Sequence, residues 1–321
     1  MVKFIAQRLI WMVISIIVIV AVSFMLTRMA PGDPVTAIVG EYPVPESYRQ
    51  EIIQRFGLDL PLWQQFGIYL VNIFQGDLGF SFANRLPVMD LLMQRAGNTL
   101  LLMVPALIIS TTIGILLGTF AASKVGSTRD SVVSGFVVIV DSIPVFWLGQ
   151  MALLLFAVTL AILPVSGMVS ARGGGGFGDL LLHMILPVLT LVSGYCATVT
   201  RITRTSVAES LTQDYILTAR AKGQTGREIL RKQALPNAAI PVLTVVGYQF
   251  GFILTGAILT ETVFGWPGIG STFVSAISAR DYPVVQGVFL FAAVIVVAAN
   301  FLTDLAYAVA DPRVRTGLLN G

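Results

Sequence analysis

The chain has 321 residues, of which 55% are hydrophobic and 12% are charged, against about 25% charged residues in soluble domains. This composition excludes an ordinary soluble domain and predicts an all-α polytopic membrane protein, since helices satisfy their own backbone groups in lipid. The net charge of +3 decides little, because the distribution of charge between loops matters more than its total.

The first predicted element is a helix within residues 1–30. Lys3 and Arg8 precede an apolar run from Leu9 to Leu26. A spanning helix needs about 20 residues, whereas the apolar part of a signal peptide has roughly 7 to 15 and precedes a small-residue cleavage site. No Ala-x-Ala pattern follows the run. We therefore expect a retained N-terminal transmembrane helix.

Residues 31–97 are too polar to span a membrane. The segment opens with the turn-forming sequence PGDP at 31–34, followed by an amphipathic stretch at 45–56 and an aromatic one at 62–74. These patterns predict a small helical segment on the extracytoplasmic surface. We expect it to dock a partner or to cover the entrance of a pathway, because exposed segments carry recognition. The alternative is that it only packs on the other outer loops.

Residues 98–321 form the predicted core domain, with apolar stretches at 98–122, 132–162, 184–200, 238–259 and 284–310. The stretch 132–162 contains Pro144, so it crosses either twice or once with an interruption. If it crosses once, thirteen of the twenty Lys and Arg residues lie on the inner side, with only five acidic residues. The positive-inside rule then favours six transmembrane helices with both termini in the cytoplasm.

This topology leaves Asp141 and Asp304 within the membrane. A carboxylate there costs a few kcal/mol, so it faces protein, water or a cation. Asn300 precedes Asp304 by four residues and shares its helix face. These three residues are candidates for the lining of a translocation pathway. The alternative for both carboxylates is hydrogen bonding between helices or a position near the headgroups.

The long polar insertion at 201–236 carries seven of the twenty basic residues. Its spacing predicts a helix, a turn at Gly223 to Gly226 and a second basic helix that ends at Pro236, which together form a compact knob. A soluble energy-coupling partner can bind only such aqueous loops. A solvated basic loop held near anionic lipid is the alternative.

This insertion resembles the coupling loop, or EAA loop, of ABC importer permeases, whose pattern is EAAxxxG, nine residues and then IxLP. Ala219, Gly223, Leu235 and Pro236 match the pattern, whereas Leu217, Thr218 and Gln233 depart from it. Similarity to the peptide/nickel/opine branch of these permeases extends along most of the chain. Its motifs are PGDP at 31–34, GDLGFS at 76–81, PVFWLG at 144–149, LPVSG at 163–167, HMILP at 183–187, ILTETVFGWPGIG at 258–270, RDYPVVQG at 280–287 and DPRVR at 311–315.

The resemblance implies a type I ABC importer permease fold and the role of a B-type permease for dipeptides or short peptides. Nickel, opines, glutathione or sugars are alternative cargoes. The implied partners are a homologous C-type permease, two ATPase subunits, an extracytoplasmic solute-binding protein and membrane lipid; no nucleic acid is expected. In the coupling loop, Ala219, Gly223, Leu235 and Pro236 would shape the knob. Arg220, Lys222, Arg227 and Arg231 would bind the ATPase.

The chain has no GxxxxGK[ST] sequence and no Gly-Lys pair, so it cannot bind nucleotide through a P-loop. ATP and Mg²⁺ are expected on partner subunits, with no cofactor on this chain. One histidine and no HExxH pattern give no reason to expect a metal site or a catalytic site. An ion-coupled secondary transporter that relays ions through Asp141 and Asp304, or an intramembrane hydrolase, are rival classes. The energy source distinguishes an ABC importer from a secondary transporter, because the first needs ATP and partner subunits and the second needs only an ion gradient.

Overall fold

The computed structural model describes residues 2–29, 35, 44–56, 59–81, 83–170 and 175–310. Side chains at 2–5, 27–29, 55–56, 252–256 and 306–310 lie outside the description, as do the PGDP and DPRVR motifs. The regular secondary structure of the described part is helical apart from one short hairpin. The elements are α1 (Val2–Met29), α2 (Glu46–Phe56), α3 (Leu62–Phe74), β1 (Phe80–Ser81), β2 (Leu86–Pro87), α4 (Val88–Ala122), α5 (Thr128–Ser142), α6 (Val145–Ala152) with a π-helical extension (Leu153–Thr159), α7 (Phe177–Leu211), α8 (Asp214–Ala221), α9 (Gly226–Ile229), a π-helical segment (Leu230–Ala234), α10 (Leu235–Val263), α11 (Ile269–Ser278) and α12 (Tyr282–Ala310).

Among the described residues, four helices are long and apolar enough to cross a membrane: Ala6–Leu26, Val88–Ala122, Phe177–Leu211 and Tyr282–Leu305. The stretch around Pro144 forms a fifth candidate, in which Thr128–Ser142 and Val145–Thr159 meet at a 91° bend. The predicted interruption is therefore present. Helix α10 has 29 residues, but part of its side chains is outside the description, so the count of six spans stays a prediction.

Residues 31–97, called the outer segment after the expectation above, contain the two helices predicted from their sequence, α2 and α3. Helix α2 buries Ile52 in a small cluster with Val35, Val44 and Tyr48. The β1–β2 hairpin follows, and its strands pair antiparallel. The chain then enters α4 at Val88, ten residues before the predicted start of the core domain, and passes residues 97 and 98 without a break.

The early start of α4 has a packing cause. Val88, Leu91 and Leu92 lie on one face of its first turns and are almost fully buried against Ile269 and Val284. Asp90 and Gln94 lie on the exposed face, so these turns are amphipathic and were not predicted as part of an apolar span. The domain boundary at 97 remains a prediction.

Helices α4 and α7 pack closely through two glycines one turn apart. A Cβ atom on Gly118 would lie 2.6 Å from the carbonyl oxygen of Thr200, and one on Gly114 would lie 2.6 Å from Cβ of Val199. Small residues at this spacing let helix backbones approach in a membrane. This contact forms the centre of the bundle.

Candidate functional site

The first half of the basic insertion is helix α8, which ends in a left-handed turn at Gly223, where φ is +75°. The N–H of Gly223 donates to the carbonyl of Arg220 at 2.9 Å, and that of Gln224 donates to Ala219 at 3.2 Å. These two bonds form a Schellman motif, which favours glycine at the left-handed position. Apart from its chain neighbours, no described residue has an atom within 4 Å of the place a Cβ would take. Gly223 is therefore required for its backbone angle rather than for close packing within the chain.

The second half begins with a capping box. The N–H of Glu228 donates to Oγ1 of Thr225 at 3.3 Å, and the N–H of Thr225 donates back to the Glu228 carboxylate at 2.9 Å. Because Glu228 accepts this backbone N–H, its pKa lies below the ordinary value. Lys232 also donates to the carboxylate at 3.4 Å. The turn between the two helices thus has defined caps on both sides.

The expectation that Pro236 ends the second helix is wrong. The backbone passes from α9 through a π-helical segment, Leu230–Ala234, into α10 without a break. Proline lacks an N–H, and in a regular α-helix its ring clashes with the carbonyl four residues earlier. The N–H of Leu235 donates to the carbonyl of Leu230, five residues back, and this wider turn accommodates Pro236. The insertion is therefore joined rigidly to a membrane helix.

The predicted knob has its own core, in which Ile216, Ala219 and Ile229 are nearly fully buried. A second cluster packs the knob against the helix bundle. Ala234 packs with Ala122 of α4 and Val207 of α7. The predicted loop boundary at 201 falls inside α7, which continues to Leu211 because its polar end supplies Val207 to this cluster. The knob itself spans residues 212–236.

The knob presents cations to solvent. Arg220, Lys222, Arg227 and Arg231 are all exposed, and none forms an ion pair with another described residue. Leu217 is 63% exposed beside them. It occupies the position where the EAA pattern has glutamate. A leucine at this usually charged position was the sequence feature that could have predicted an exposed apolar contact. The knob therefore exposes both an apolar side chain and several cations.

The residues predicted to line a pathway fall into two separate places. Asp141 forms an ion pair with Arg201 of α7. Asp304 forms an ion pair with Arg8 of α1, in which Oδ2 lies 3.1 Å from Nε. Together with Asn300, Asp304 lines a cavity of about 140 Å³ between α1 and α12. The structure thus brings Asn300 and Asp304 together but not Asp141. Their role in translocation stays a prediction.

Sequence reasoning missed the ion pair between Asp130 and Arg204. Asp130 is 4% exposed, and its two oxygens accept from Nε and Nη2 of Arg204 at 2.9 and 2.7 Å. The N–H of Gly126 donates to the same carboxylate at 3.0 Å. A bidentate pair of this kind fixes the start of α5 on α7, close to the knob.

Comparison with known families agrees with this architecture. Residues 114–316 match the family described as binding-protein-dependent transport system inner membrane component, and residues 1–103 match the corresponding N-terminal family. In fold, the chain is similar to a solved chain titled inward facing conformations of the MetNI methionine ABC transporter. The TM-score is 0.56 at 18% identity, over 70% of this chain and 97% of the other. These matches define a membrane-embedded transport subunit with the type I importer fold, which is not itself a catalytic enzyme.

Characterised relatives cover almost the whole chain. The dipeptide transport system permease protein DppB of Escherichia coli K12 is 40% identical, over 98% of this chain and 99% of its own length. The di/tripeptide permease DppB of Pseudomonas aeruginosa UCBPP-PA14 is also 40% identical, with the same coverage. The oligopeptide permease AppB of Bacillus subtilis 168 is 35% identical, again with this coverage. The chain therefore belongs to the permease family of peptide ABC importers, and the resemblance drawn from its motifs is confirmed.

Proposed function

We propose that this chain is the B-type permease of an ATP-driven, binding-protein-dependent importer of dipeptides or short peptides. The observation that carries the proposal is the 40% identity to dipeptide permeases over 98% of the chain. Family membership argues against an ion-coupled secondary transporter and an intramembrane hydrolase. Glutathione is the alternative cargo with a specific basis, because the glutathione permease GsiC of Escherichia coli O6:H1 is 36% identical.

The proposed mechanism assigns energy coupling to the knob, residues 212–236. Two ATPase subunits bind ATP and Mg²⁺ and receive the knobs of this chain and of a homologous C-type permease. The exposed cations and Leu217 form the contact. Because the knob has a buried core and continues into α10, closure of the ATPase dimer would tilt a membrane helix rather than deform a loop. Such rigid movement alternates access to the pathway.

The proposed orientation in the inner membrane is supported by the segments that share one end of the bundle. Gly247 of α10 lies against Thr303 of α12, and Gly251 lies near Asn300, so these helices run antiparallel. The end of α12 therefore lies toward the knob. Contact between Arg8 and Asp304 places the start of α1 at the same end. We assign this end, which is rich in basic residues, to the cytoplasm.

The solute-binding protein would dock on the opposite, outer end. Residues 44–56 carry the charged helix α2, which suits a contact with a soluble partner that dissociates in each cycle. Excision of 44–56 with a short linker should reduce the stimulation of ATPase activity by the binding protein. Unchanged stimulation would leave the segment with only a packing role.

The cargo is tested most directly on the cognate binding protein. Purified binding protein, refolded to remove endogenous ligand, would be titrated with a dipeptide, a tripeptide, glutathione and Ni²⁺ by calorimetry. We expect tight binding of the dipeptide. Tight binding of glutathione or Ni²⁺ without peptide binding would assign the same fold to another cargo.

A further inference from the structure

Helix α3 exposes a stripe of large apolar side chains and has no charged residue among its 13 positions. Trp63 is 72% exposed, Val71 54% and Phe74 84%. Gly67 lies between them on the same helix face, since the spacings are four, four and three residues. A contiguous apolar surface of this kind marks contact with another molecule or with a membrane.

The opposite face of α3 is fixed to the outer end of α1. The rings of Phe66 and Tyr69 pack on Phe24, with centroids 5.4 and 5.5 Å apart. Phe24 lies two residues before the end of the apolar span Ala6–Leu26, which is about 3 Å along a helix. The middle of α3 is therefore held at the level where α1 leaves the hydrocarbon.

The chain that follows α3 stays at this level. Leu78 packs on the buried cluster that includes Val284 and Val288, and its Cδ1 atom lies 3.7 Å from the place a Cβ would take on Gly287 of α12. Ser81 donates a 2.6 Å hydrogen bond to Asp281, which immediately precedes α12. Since the start of α12 is at the outer end of the bundle, α3 cannot pass into the bilayer centre.

The helix that carries α3 is also apolar on its exposed surface. Helix α1 exposes apolar side chains on its outer half, with Val22, Met25 and Leu26 each more than half exposed. Helix α2, directly before α3, carries charged residues, with Glu46 and Glu51 exposed. The charged residues thus lie on α2 and none lies on α3, so α2 is suited to water and α3 is suited to the membrane interface.

We propose that α3 is an interfacial helix whose Trp63, Val71 and Phe74 face lies in the outer leaflet, at the boundary between headgroups and acyl chains. Tryptophan favours this boundary, and an uncharged helix held at its level buries its apolar face there. A protein that associates and dissociates would leave the stripe in water for part of each cycle, and α3 offers no charged rim for such a partner. The binding protein therefore contacts the side of the outer segment that carries α2.

The test uses nitroxide labels on the full chain in the assembled importer, in nanodiscs of phosphatidylethanolamine and phosphatidylglycerol. Cys196→Ser removes the only native cysteine, and cysteine then replaces Trp63, Val71 or Phe74 in separate variants. Collision rates are measured with oxygen, which concentrates in lipid, and with a water-soluble nickel chelate. Val22→Cys on α1 is the lipid control, and Glu51→Cys on α2 is the water control.

We expect the three α3 positions to match Val22→Cys, with oxygen collisions frequent and nickel collisions several-fold lower than at Glu51→Cys. Nickel access equal to that of the Glu51 control would show that the stripe faces water and would overturn the proposal. Protection from both reagents would show that a protein covers it, which would overturn it equally. Because Trp63, Val71 and Phe74 are each more than half exposed, the remaining two variants still decide the test if one does not assemble.

Discussion

Thr99 on α4 donates a 2.6 Å hydrogen bond to the carboxylate of Glu261 on α10, which is completely buried. The other carboxylate oxygen accepts the N–H of Ser271 at 3.0 Å. Oγ1 of Thr99 accepts the N–H of Ile269 at 2.9 Å, so its own proton is committed to Glu261. One carboxylate thereby joins α4 and the end of α10 that lies away from the knob to the start of α11.

Glu261→Gln should destabilise the permease although it preserves shape. The amide oxygen can accept from Thr99 or from Ser271, and the amide NH₂ then faces the other donor. A buried donor left without an acceptor costs about 1–3 kcal/mol. Thermal unfolding of the purified assembly measures the effect. Glu51→Gln, on the exposed face of α2, is the control, and an equal Tm for both variants would contradict the role of Glu261.

Gly118→Ala should weaken the contact between α4 and α7. Its Cβ would meet the backbone oxygen of Thr200 at 2.6 Å, and backbone cannot move aside easily. Overpacking of this kind costs about 1–3 kcal/mol. Gly135→Ala on α5 is the matched control, because outside its own helix turn no described residue has an atom within 4 Å of the place of its Cβ. We expect a lower Tm only for Gly118→Ala. Equal Tm values for the two variants would show that α4 and α7 can move apart without loss of stability.

Gly223→Glu should leave membrane insertion intact but weaken ATPase association and uncouple transport. The substitution strains the left-handed turn and places an acidic side chain among the exposed cations. Gly223→Asn is the comparison, since asparagine tolerates this backbone region better than other residues. We expect it to retain more coupling. A Gly223→Glu variant with the complete assembly and normal substrate-stimulated ATP turnover would remove the coupling role.

Charge reversal on the knob should weaken ATPase association in a salt-dependent manner. Arg227 and Arg231 are exposed and positively charged, so the double change to glutamate replaces attraction with repulsion. Co-purification at increasing salt measures the retained ATPase, with a several-fold loss expected. Lys124→Glu, between α4 and α5, is the control for charge off the knob. Equal losses for both would indicate general electrostatics rather than a docking site.

Local patterns were sufficient to predict several elements. Helices α2 and α3 have the bounds that amphipathic and aromatic periodicity indicated, within one residue. The first helix and the turn of the knob follow from the spacing that ends at Gly223 and Gly226, and the structure adds the capping pair Thr225 and Glu228 within the same turn. Each of these signals involves neighbours in sequence, so it can be read without tertiary structure.

Partners across the fold could not be predicted in this way. Asp130 and Glu261 look like ordinary loop acids in the sequence, yet each is buried by residues distant in the chain. Arg201 was assigned to the loop because it follows an apolar run, but α7 continues past it and pairs it with Asp141. Such contacts depend on how helices pack, which periodicity does not specify.

The most direct test of the account is uptake by the complete importer in proteoliposomes. The permease pair, its ATPase subunits and peptide-loaded binding protein would be reconstituted with ATP inside or outside the vesicle and without an ion gradient. We predict accumulation of labelled dipeptide that requires ATP on the knob side, the binding protein on the opposite side and an intact Gly223 turn. Uptake driven by a proton or sodium gradient without ATP or partner subunits would contradict the account.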